Sequence, residues 1–99
     1  MYLRKVTYRL APAHDTPAGQ AAFEHDLEAR IQPLEGLVSA AHIPNDDGSW
    51  LIVAVWHDED AATLAANVGR IAAAWDALAD RLAEPRIIEA GGVDVWETG

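Results

Sequence analysis

The chain has 99 residues, enough for one domain with a core of its own. Hydrophobic residues make up 51% and charged residues 23%, which is the balance of a globular protein rather than a disordered one. Acidic residues outnumber Lys and Arg by 16 to 7, and the formal net charge of −9 argues against partners such as nucleic acids or anionic membranes. Cysteine is absent, which excludes disulfides, thiolate metal ligands and a cysteine nucleophile. Because no membrane span or signal-peptide pattern is visible either, we expect a cytoplasmic protein.

The first predicted strand covers residues 2–10, whose even positions are mostly apolar. Thr16 followed by Pro17 predicts a helix start, because threonine can cap free N–H groups and proline is pre-set for the first turn. We expect this helix to run to about Gln32, since apolar side chains recur at every fourth position along it. These side chains are Phe23, Leu27 and Ile31.

A predicted hairpin follows, with a second strand over residues 37–44 and a third over residues 50–56. The turn between them, Asn45–Gly48, is rich in residues that tolerate left-handed conformations. The third strand is apolar on both faces, whereas a strand buried on one face alternates apolar with polar residues. We expect the face with Leu51, Val53 and Val55 to meet the helices. The other face, called here the tryptophan face, would then meet a second subunit or a cavity; it comprises Trp50, Ile52, Ala54 and Trp56.

The second predicted helix has two parts. Asp58 is expected to cap a helix over residues 59–67, which breaks near Gly69 and resumes to about Ala83. In the second part, apolar residues recur at spacings of four, three and four, which places them on one helical face. They are Ile71, Trp75, Leu78 and Leu82.

The β-branched residues in the range 86–96 predict a last strand there, and Gly91 and Gly92 suggest a bulge in it. The order strand, helix, strand, strand, two-part helix, strand predicts an α+β fold. We expect a ferredoxin-like, four-stranded antiparallel sheet with the helices on one face. Because the opposite face would be bare and apolar in a monomer, we also expect a homodimer formed through it.

Gly36-Leu37 at the start of the second strand, the hairpin, and Trp56 followed by a short polar break into a helix carry a family resemblance. The chain resembles the antibiotic-biosynthesis-monooxygenase-like domains of the dimeric α+β barrel group, over almost its whole length. The resemblance implies one domain over residues 1–99, a dimeric barrel, and Trp96 at the subunit interface.

Proteins of this group include cofactor-independent oxygenases acting on aromatic polyketides and quinols, haem-degrading enzymes, and proteins without established chemistry. The haem-degrading relatives use an Asn on the first strand, a Trp at the end of the third strand and a His on the following helix. Trp56 matches the Trp, but residues 2–10 contain no Asn and residues 59–83 contain no His. Haem oxygenation is therefore disfavoured, and no cofactor is implied.

In a cofactor-free oxygenase the substrate supplies the electrons to dioxygen, usually as a deprotonated phenol or enol. The site then needs aromatic walls, a base or anion stabiliser, and exclusion of water. Among the residues of this chain, Trp56 and Trp50 share one strand face and are candidate walls, His42 is a candidate proton acceptor, and Arg9 is a candidate stabiliser of a phenolate or enolate. Further candidate ligand-binding residues are Thr7, Trp50 and Asn67.

Purely structural roles remain possible interpretations for the same residues. Trp56 is compatible with core packing and Arg9 with an ordinary surface charge, and the four His residues show no metal-ligand spacing, so no metal site is predicted. Two other functions stay open: a non-catalytic dimeric barrel that binds a small apolar ligand or serves as an assembly module, and an isomerase or cyclase on the same fold.

Overall fold

The structure, a computed structural model, describes residues 1–92. Its four strands pair antiparallel in the order β2-β3-β1-β4, which is the predicted α+β, ferredoxin-like arrangement. None of the helices in this part of the chain is long and apolar enough to cross a membrane. The elements are β1 (Tyr2–Tyr8), α1 (Pro17–Ile31), β2 (Leu37–Pro44), β3 (Trp50–Trp56), α2 (Glu59–Thr63), α3 (Ala65–Ala77), a 3₁₀ turn (Ala79–Arg81) and β4 (Ile87–Gly92).

The helix starts follow the predicted caps. The Thr16 hydroxyl accepts a hydrogen bond of 3.0 Å from the backbone N–H of Gly19, and Pro17 occupies the first turn of α1. The carboxylate of Asp58 accepts one of 2.8 Å from the N–H of Ala61 at the start of α2. Both predicted N-caps are therefore confirmed.

The break in the second helix lies at Leu64, between α2 and α3, and not near Gly69 as predicted. Gly69 lies inside α3, where a glycine costs only about 1 kcal/mol relative to alanine. The break is stabilised by the buried Asn67, whose Nδ2 donates to the carbonyl oxygens of Ala61 at 3.0 Å and Glu35 at 2.7 Å. The side chain therefore contacts one carbonyl of the last turn of α2 and ties the break to the loop before β2.

The outer strands also differ from prediction. Strand β1 ends at Tyr8, and Leu10 forms an isolated bridge instead. The predicted bulge at Gly91 and Gly92 is wrong, because both glycines pair with β1 in unbroken register; the register shift lies in β2, between Leu37 and Ser39. The predicted continuation of β4 to residue 96, with Trp96, lies outside the described residues.

The tryptophan face of β3 meets the helices, and this corrects our expectation that the Leu51 face would do so. Val6 and Tyr8 of β1 stand opposite Ile52 and Trp50 and pack with them against α1 and α3. The other side of β1 carries Lys5, which cannot be buried cheaply without a partner. Because neighbouring strands share a pleat, the polar positions of β1 fix which face of β3 turns inward.

The face of the sheet away from the helices, called here the open face, is mostly apolar. One ion pair crosses it, between Lys5 Nζ and Glu89 Oε2 at 3.5 Å. Ile43 and Ile87 are 41% and 56% exposed, which leaves an apolar surface uncovered by the rest of residues 1–92. The other apolar residues on this face are Leu3, Leu51, Val53 and Val55.

Candidate ligand cavity

An apolar cavity of about 170 Å³ lies between the sheet and helices α1 and α3. Its lining is aliphatic apart from Arg4, Arg86 and the rings of Trp56 and Trp75. Val68 and Ile88 line it as well, and since they are 40% and 49% exposed they mark its rim. A compact apolar space with a few polar groups is the usual form of a small-molecule site.

Trp56 and Arg4 lie together at one end of this cavity. Trp56 is the last residue of β3 and only 1% exposed, and Arg4 is its diagonal neighbour on the same face of β1. The indole Nε1 of Trp56 and the Nε of Arg4 are buried, and neither finds a hydrogen-bond partner within residues 1–92. Buried polar groups almost always have a partner, so these two N–H groups are candidates for contact with a ligand.

Arg86 lines the cavity farther along the sheet. Its guanidinium carbon lies 5.1 Å from the ring centroid of Trp75, which is a cation–π contact. Burial lowers the pKa of Arg86, and the carboxylate of Asp76 opposes that shift. The charge of Arg86 is thus already partly compensated by the protein.

Beside the cavity, Tyr8, His42 and Glu24 form a chain of polar contacts. The hydroxyl of Tyr8 lies 2.5 Å from Nε2 of His42, and Nδ1 of His42 lies 3.3 Å from a carboxylate oxygen of Glu24. The Tyr8–His42 contact is a hydrogen bond in which Nε2 of a neutral His42 accepts from the Tyr8 hydroxyl, and the Nδ1 of His42 then faces the Glu24 carboxylate. Burial raises the pKa of Tyr8, and the negative charge of Glu24 raises it further, so the phenol is neutral at physiological pH. Both nitrogens of His42 are therefore engaged.

A second pocket of about 220 Å³, lined by Glu24 and His42, adjoins the cavity between α1 and β2. The two spaces have common walls, so His42 borders the same apolar region as Trp56 from its other side. The residues shared by both linings are Leu27, Ile31, Leu34, Leu37, Ala40 and Ile52.

Three of the six predicted site residues lie at the cavity, at the adjoining pocket or beside them. Trp56 lines the cavity and His42 lines the adjoining pocket. Trp50 packs against His42, with 4.6 Å between ring centroids, and belongs to the edge of the core rather than to either lining.

The other three lie elsewhere. Thr7 is on the open face, paired with β3 and β4. Arg9 reaches the hairpin turn, where its Nη1 donates to the backbone carbonyl of Asp47 at 2.8 Å and its Nη2 lies 3.4 Å from the Asp47 carboxylate. Asn67 holds the break between α2 and α3. Within residues 1–92, no group of three or more His, Asp or Glu side chains could hold a metal ion.

Solved structures resemble this chain over nearly its full length. A monooxygenase from Streptomyces coelicolor, solved with nanaomycin D, is 20% identical with a TM-score of 0.74, covering 99% of this chain and 91% of its own. A cofactor-independent oxygenase from Streptomyces nogalater is 16% identical with a TM-score of 0.72, covering 96% and 94%. A structure described as an antibiotic biosynthesis monooxygenase is 7% identical with a TM-score of 0.72, covering 96% and 100%. The chain has the antibiotic biosynthesis monooxygenase fold.

The antibiotic biosynthesis monooxygenase fold confirms the resemblance drawn from the sequence, at the level of architecture. No protein-family model matches the sequence, and a search of curated proteins gives no significant match. At identities this low, the shared architecture does not by itself assign a reaction.

Within this fold, the cavity residues that sequence reasoning missed are Arg4 and Arg86, together with Tyr8 beside them. Arg4 stands at an even position of the first strand, between the otherwise apolar Tyr2 and Val6. A charged residue on a buried face is a signal that could have identified it. Arg86 carried no comparable signal, because it precedes its strand and its contact with Trp75 depends on the tertiary structure.

Proposed function

We propose that the protein is a small monooxygenase that uses no cofactor and acts on a compact aromatic or quinol-type molecule. The observation that carries this proposal is the apolar cavity ending at the fully buried Trp56. The similarity in fold to a monooxygenase and to a cofactor-independent oxygenase supports it.

In such a reaction the substrate supplies all the electrons. A quinol and one O₂ give a hydroxyquinone and one water: one oxygen atom forms a new C–O bond on the ring, the O–O bond breaks, and the other atom leaves as water. Four electrons come from the quinol, two of them from the C–H bond that is replaced. The aliphatic walls exclude bulk water from the reacting anion, and the Trp56 N–H is a donor available to a developing oxyanion.

A homodimer built through the open face belongs to the same proposal. Two copies related by a two-fold axis would cover Ile43, Ile87 and the exposed side of β3, and the Lys5–Glu89 pairs would lie at the interface. The chain mass is 10.7 kDa, and sedimentation at micromolar concentration should give a species of about twice that mass. A species with the mass of a single chain would contradict the dimer. The expected cytoplasmic location is likewise part of the proposal.

A second candidate is a non-catalytic barrel that binds a small apolar ligand. It is favoured by the contacts of the polar residues predicted for catalysis. Arg9 is held at the hairpin by Asp47, and the two ring nitrogens of His42 contact Tyr8 and Glu24. The same observation weighs more heavily against an isomerase or cyclase, because that chemistry requires a free base.

Oxygen uptake with a panel of hydroquinones and anthrones tests the proposal, with the spontaneous rate subtracted. We expect uptake above background, a loss of kcat/KM of about tenfold or more in Trp56→Phe, and a change below about threefold in Trp50→Phe. The second variant is the matched control, because Trp50 lies on the same strand face and outside the cavity lining. Oxygen uptake at the spontaneous rate with every substrate would contradict the oxygenase and leave the binding protein as the function.

A further inference from the structure

The polar side-chain groups lining the cavity are all hydrogen-bond donors. They are the guanidinium groups of Arg4 and Arg86 and the indole N–H groups of Trp56 and Trp75. Neither arginine forms an ion pair with a carboxylate within residues 1–92. In a chain of net charge −9 with only 7 basic residues, placing two of them on an apolar cavity is costly unless something compensates their charge.

The two arginines are compensated to different degrees. The Nε of Arg86, like that of Arg4, is buried without a hydrogen-bond partner within residues 1–92, but the Arg86 guanidinium stacks over the Trp75 ring and faces the charge of Asp76. Arg4 stands between Ala54 on one neighbouring strand and Ala90 on the other, and both are too small to cover it. The register puts Arg86 four residues farther along the sheet, which is about 13 Å from Arg4 at the backbone. Arg4 and Arg86 therefore mark separate ends of the cavity, and at the Arg4 end a second buried donor without a partner within residues 1–92, the Nε1 of Trp56, lies on the neighbouring strand.

We infer that the Arg4–Trp56 end of the cavity is a subsite for an anionic oxygen group, a carboxylate or an ionised phenol, carried on a compact ring. This deepens the proposed function and rests on it, since it concerns the ligand of the same cavity. The Nε of Arg4 and the Nε1 of Trp56 are the buried donors that such an oxygen would satisfy. Hydrogen bonds from a cation to an anion are about twice as strong as neutral ones, which makes the charge of the ligand its main recognition feature.

The size of the space sets the size of the ring. A cavity of about 150 Å³ with an apolar lining accommodates benzene, and the cavity beside Trp56 measures about 170 Å³. The adjoining pocket of about 220 Å³ lies on the His42 side and leaves room for a substituent opposite the anionic group. The fitting ligand is a single ring with its anionic oxygen toward Arg4.

Calorimetric titration with benzoate and with nitrobenzene tests this inference, because the two molecules have the same shape and only benzoate is charged. We expect benzoate to bind at least about tenfold more tightly than nitrobenzene. Arg4→Met should bring that ratio close to one and leave nitrobenzene binding unchanged. Arg86→Met, the same substitution in the same cavity, and Lys5→Met, on the open face, should each leave the ratio within about threefold of the unsubstituted protein.

A parallel titration with 4-nitrophenol separates the two sources of the anion, since its absorbance distinguishes phenol from phenolate. Enrichment of the phenolate on binding, lost in Arg4→Met, would identify an ionised phenol as a ligand; a preference confined to benzoate would identify a carboxylate. Retained nitrobenzene binding shows that the Arg4→Met protein is folded. If the Arg4→Met protein no longer binds nitrobenzene, the Arg4→Lys protein is tested instead. It keeps the positive charge and should keep the preference for benzoate.

Equal binding of benzoate and nitrobenzene would overturn the inference, as would the loss of discrimination in Arg86→Met rather than Arg4→Met, or binding of neither ligand. These outcomes are independent of the oxygen-uptake test. Selective benzoate binding without oxygen uptake would support the anionic subsite and contradict the oxygenase. Oxygen uptake without a preference for benzoate would support the oxygenase and contradict the anionic subsite.

Discussion

The two ends of the space between sheet and helices share one sheet face and differ in how their polar groups are satisfied. At the Tyr8 end, the hydroxyl of Tyr8 forms a hydrogen bond with His42, and the other ring nitrogen of His42 lies 3.3 Å from the Glu24 carboxylate. At the Trp56 end, the N–H groups of Trp56 and Arg4 are buried without a partner in residues 1–92. A satisfied buried network fixes structure, whereas unsatisfied donors on a cavity wall indicate a binding function. Arg86, near the Tyr8 end, also has a buried Nε without a partner within residues 1–92, but its guanidinium stacks on Trp75 and faces the charge of Asp76. The contrast therefore favours the Trp56 end as the ligand-binding end and the Tyr8 end as the structural end.

The largest expected effect comes from opening the structural end. Phe23 is fully buried and packs on Tyr8 and Trp75, so Phe23→Ala should lower the free energy of unfolding by about 3–5 kcal/mol. Leu34→Ala removes a half-buried cavity-wall residue and should cost less than about 2 kcal/mol. Urea denaturation at one fixed protein concentration measures both, since a dimer makes stability concentration-dependent. Equal losses in the free energy of unfolding for Phe23→Ala and Leu34→Ala would contradict the assignment of the Tyr8 end as the structural end.

An intermediate effect is expected from His42→Ala. This change deprives the Tyr8 hydroxyl and the Glu24 carboxylate of their shared partner, and it should cost about 1–3 kcal/mol of stability. Ligand affinity at the Trp56 end should stay within about threefold, because His42 lines only the adjoining pocket. A folded His42→Ala protein with normal affinity and a kcat reduced a hundredfold would instead assign His42 the proton-acceptor role predicted from the sequence.

The smallest effect at neutral pH is expected from Tyr8→Phe, and it should grow in alkali. Since burial raises the pKa of Tyr8 in the folded state, the unfolded chain ionises first, at about pH 10. The contribution of neutral Tyr8 to stability is therefore complete below pH 10 and is lost as the pH rises further.

Stability measured from pH 8 to 11 should fall above pH 10, and the fall should be weaker in Tyr8→Phe. Tyr2→Phe serves as the control on the same strand. Parallel curves for the unsubstituted protein and Tyr8→Phe would show that Tyr8 does not ionise on unfolding in this range.

Much of the fold could be predicted from the sequence because its signals are local. Thr16 and Asp58 mark helix starts through hydrogen bonds to N–H groups three residues away. The hairpin follows from Asn45–Gly48, where Gly48 takes a positive φ of 86° that only glycine adopts easily. The order of the predicted strands and helices then gave the topology, and the resemblance agreed with it.

The inward face of β3 and the position of the helix break could not be obtained so directly. Both faces of β3 are apolar, so its orientation depends on the pairing of β1 with it, and the break at Leu64 depends on Asn67 reaching the carbonyl of Glu35, 32 residues earlier. The candidate site shows the same limit. Trp56 could be predicted from its place in the chain, whereas the pairing of Trp56 with Arg4 emerges only when two strands align.

The most direct test of a ligand site at the Trp56 end is a ¹H–¹⁵N NMR titration with benzoate or hydroquinone. The chain has four tryptophans, whose indole N–H signals can be assigned from single Trp→Phe variants. We predict that the Trp56 indole signal shifts most and in a saturable manner, while that of Trp50 stays in place. Binding that shifts the Trp50 signal and leaves that of Trp56 unchanged would contradict the central claim.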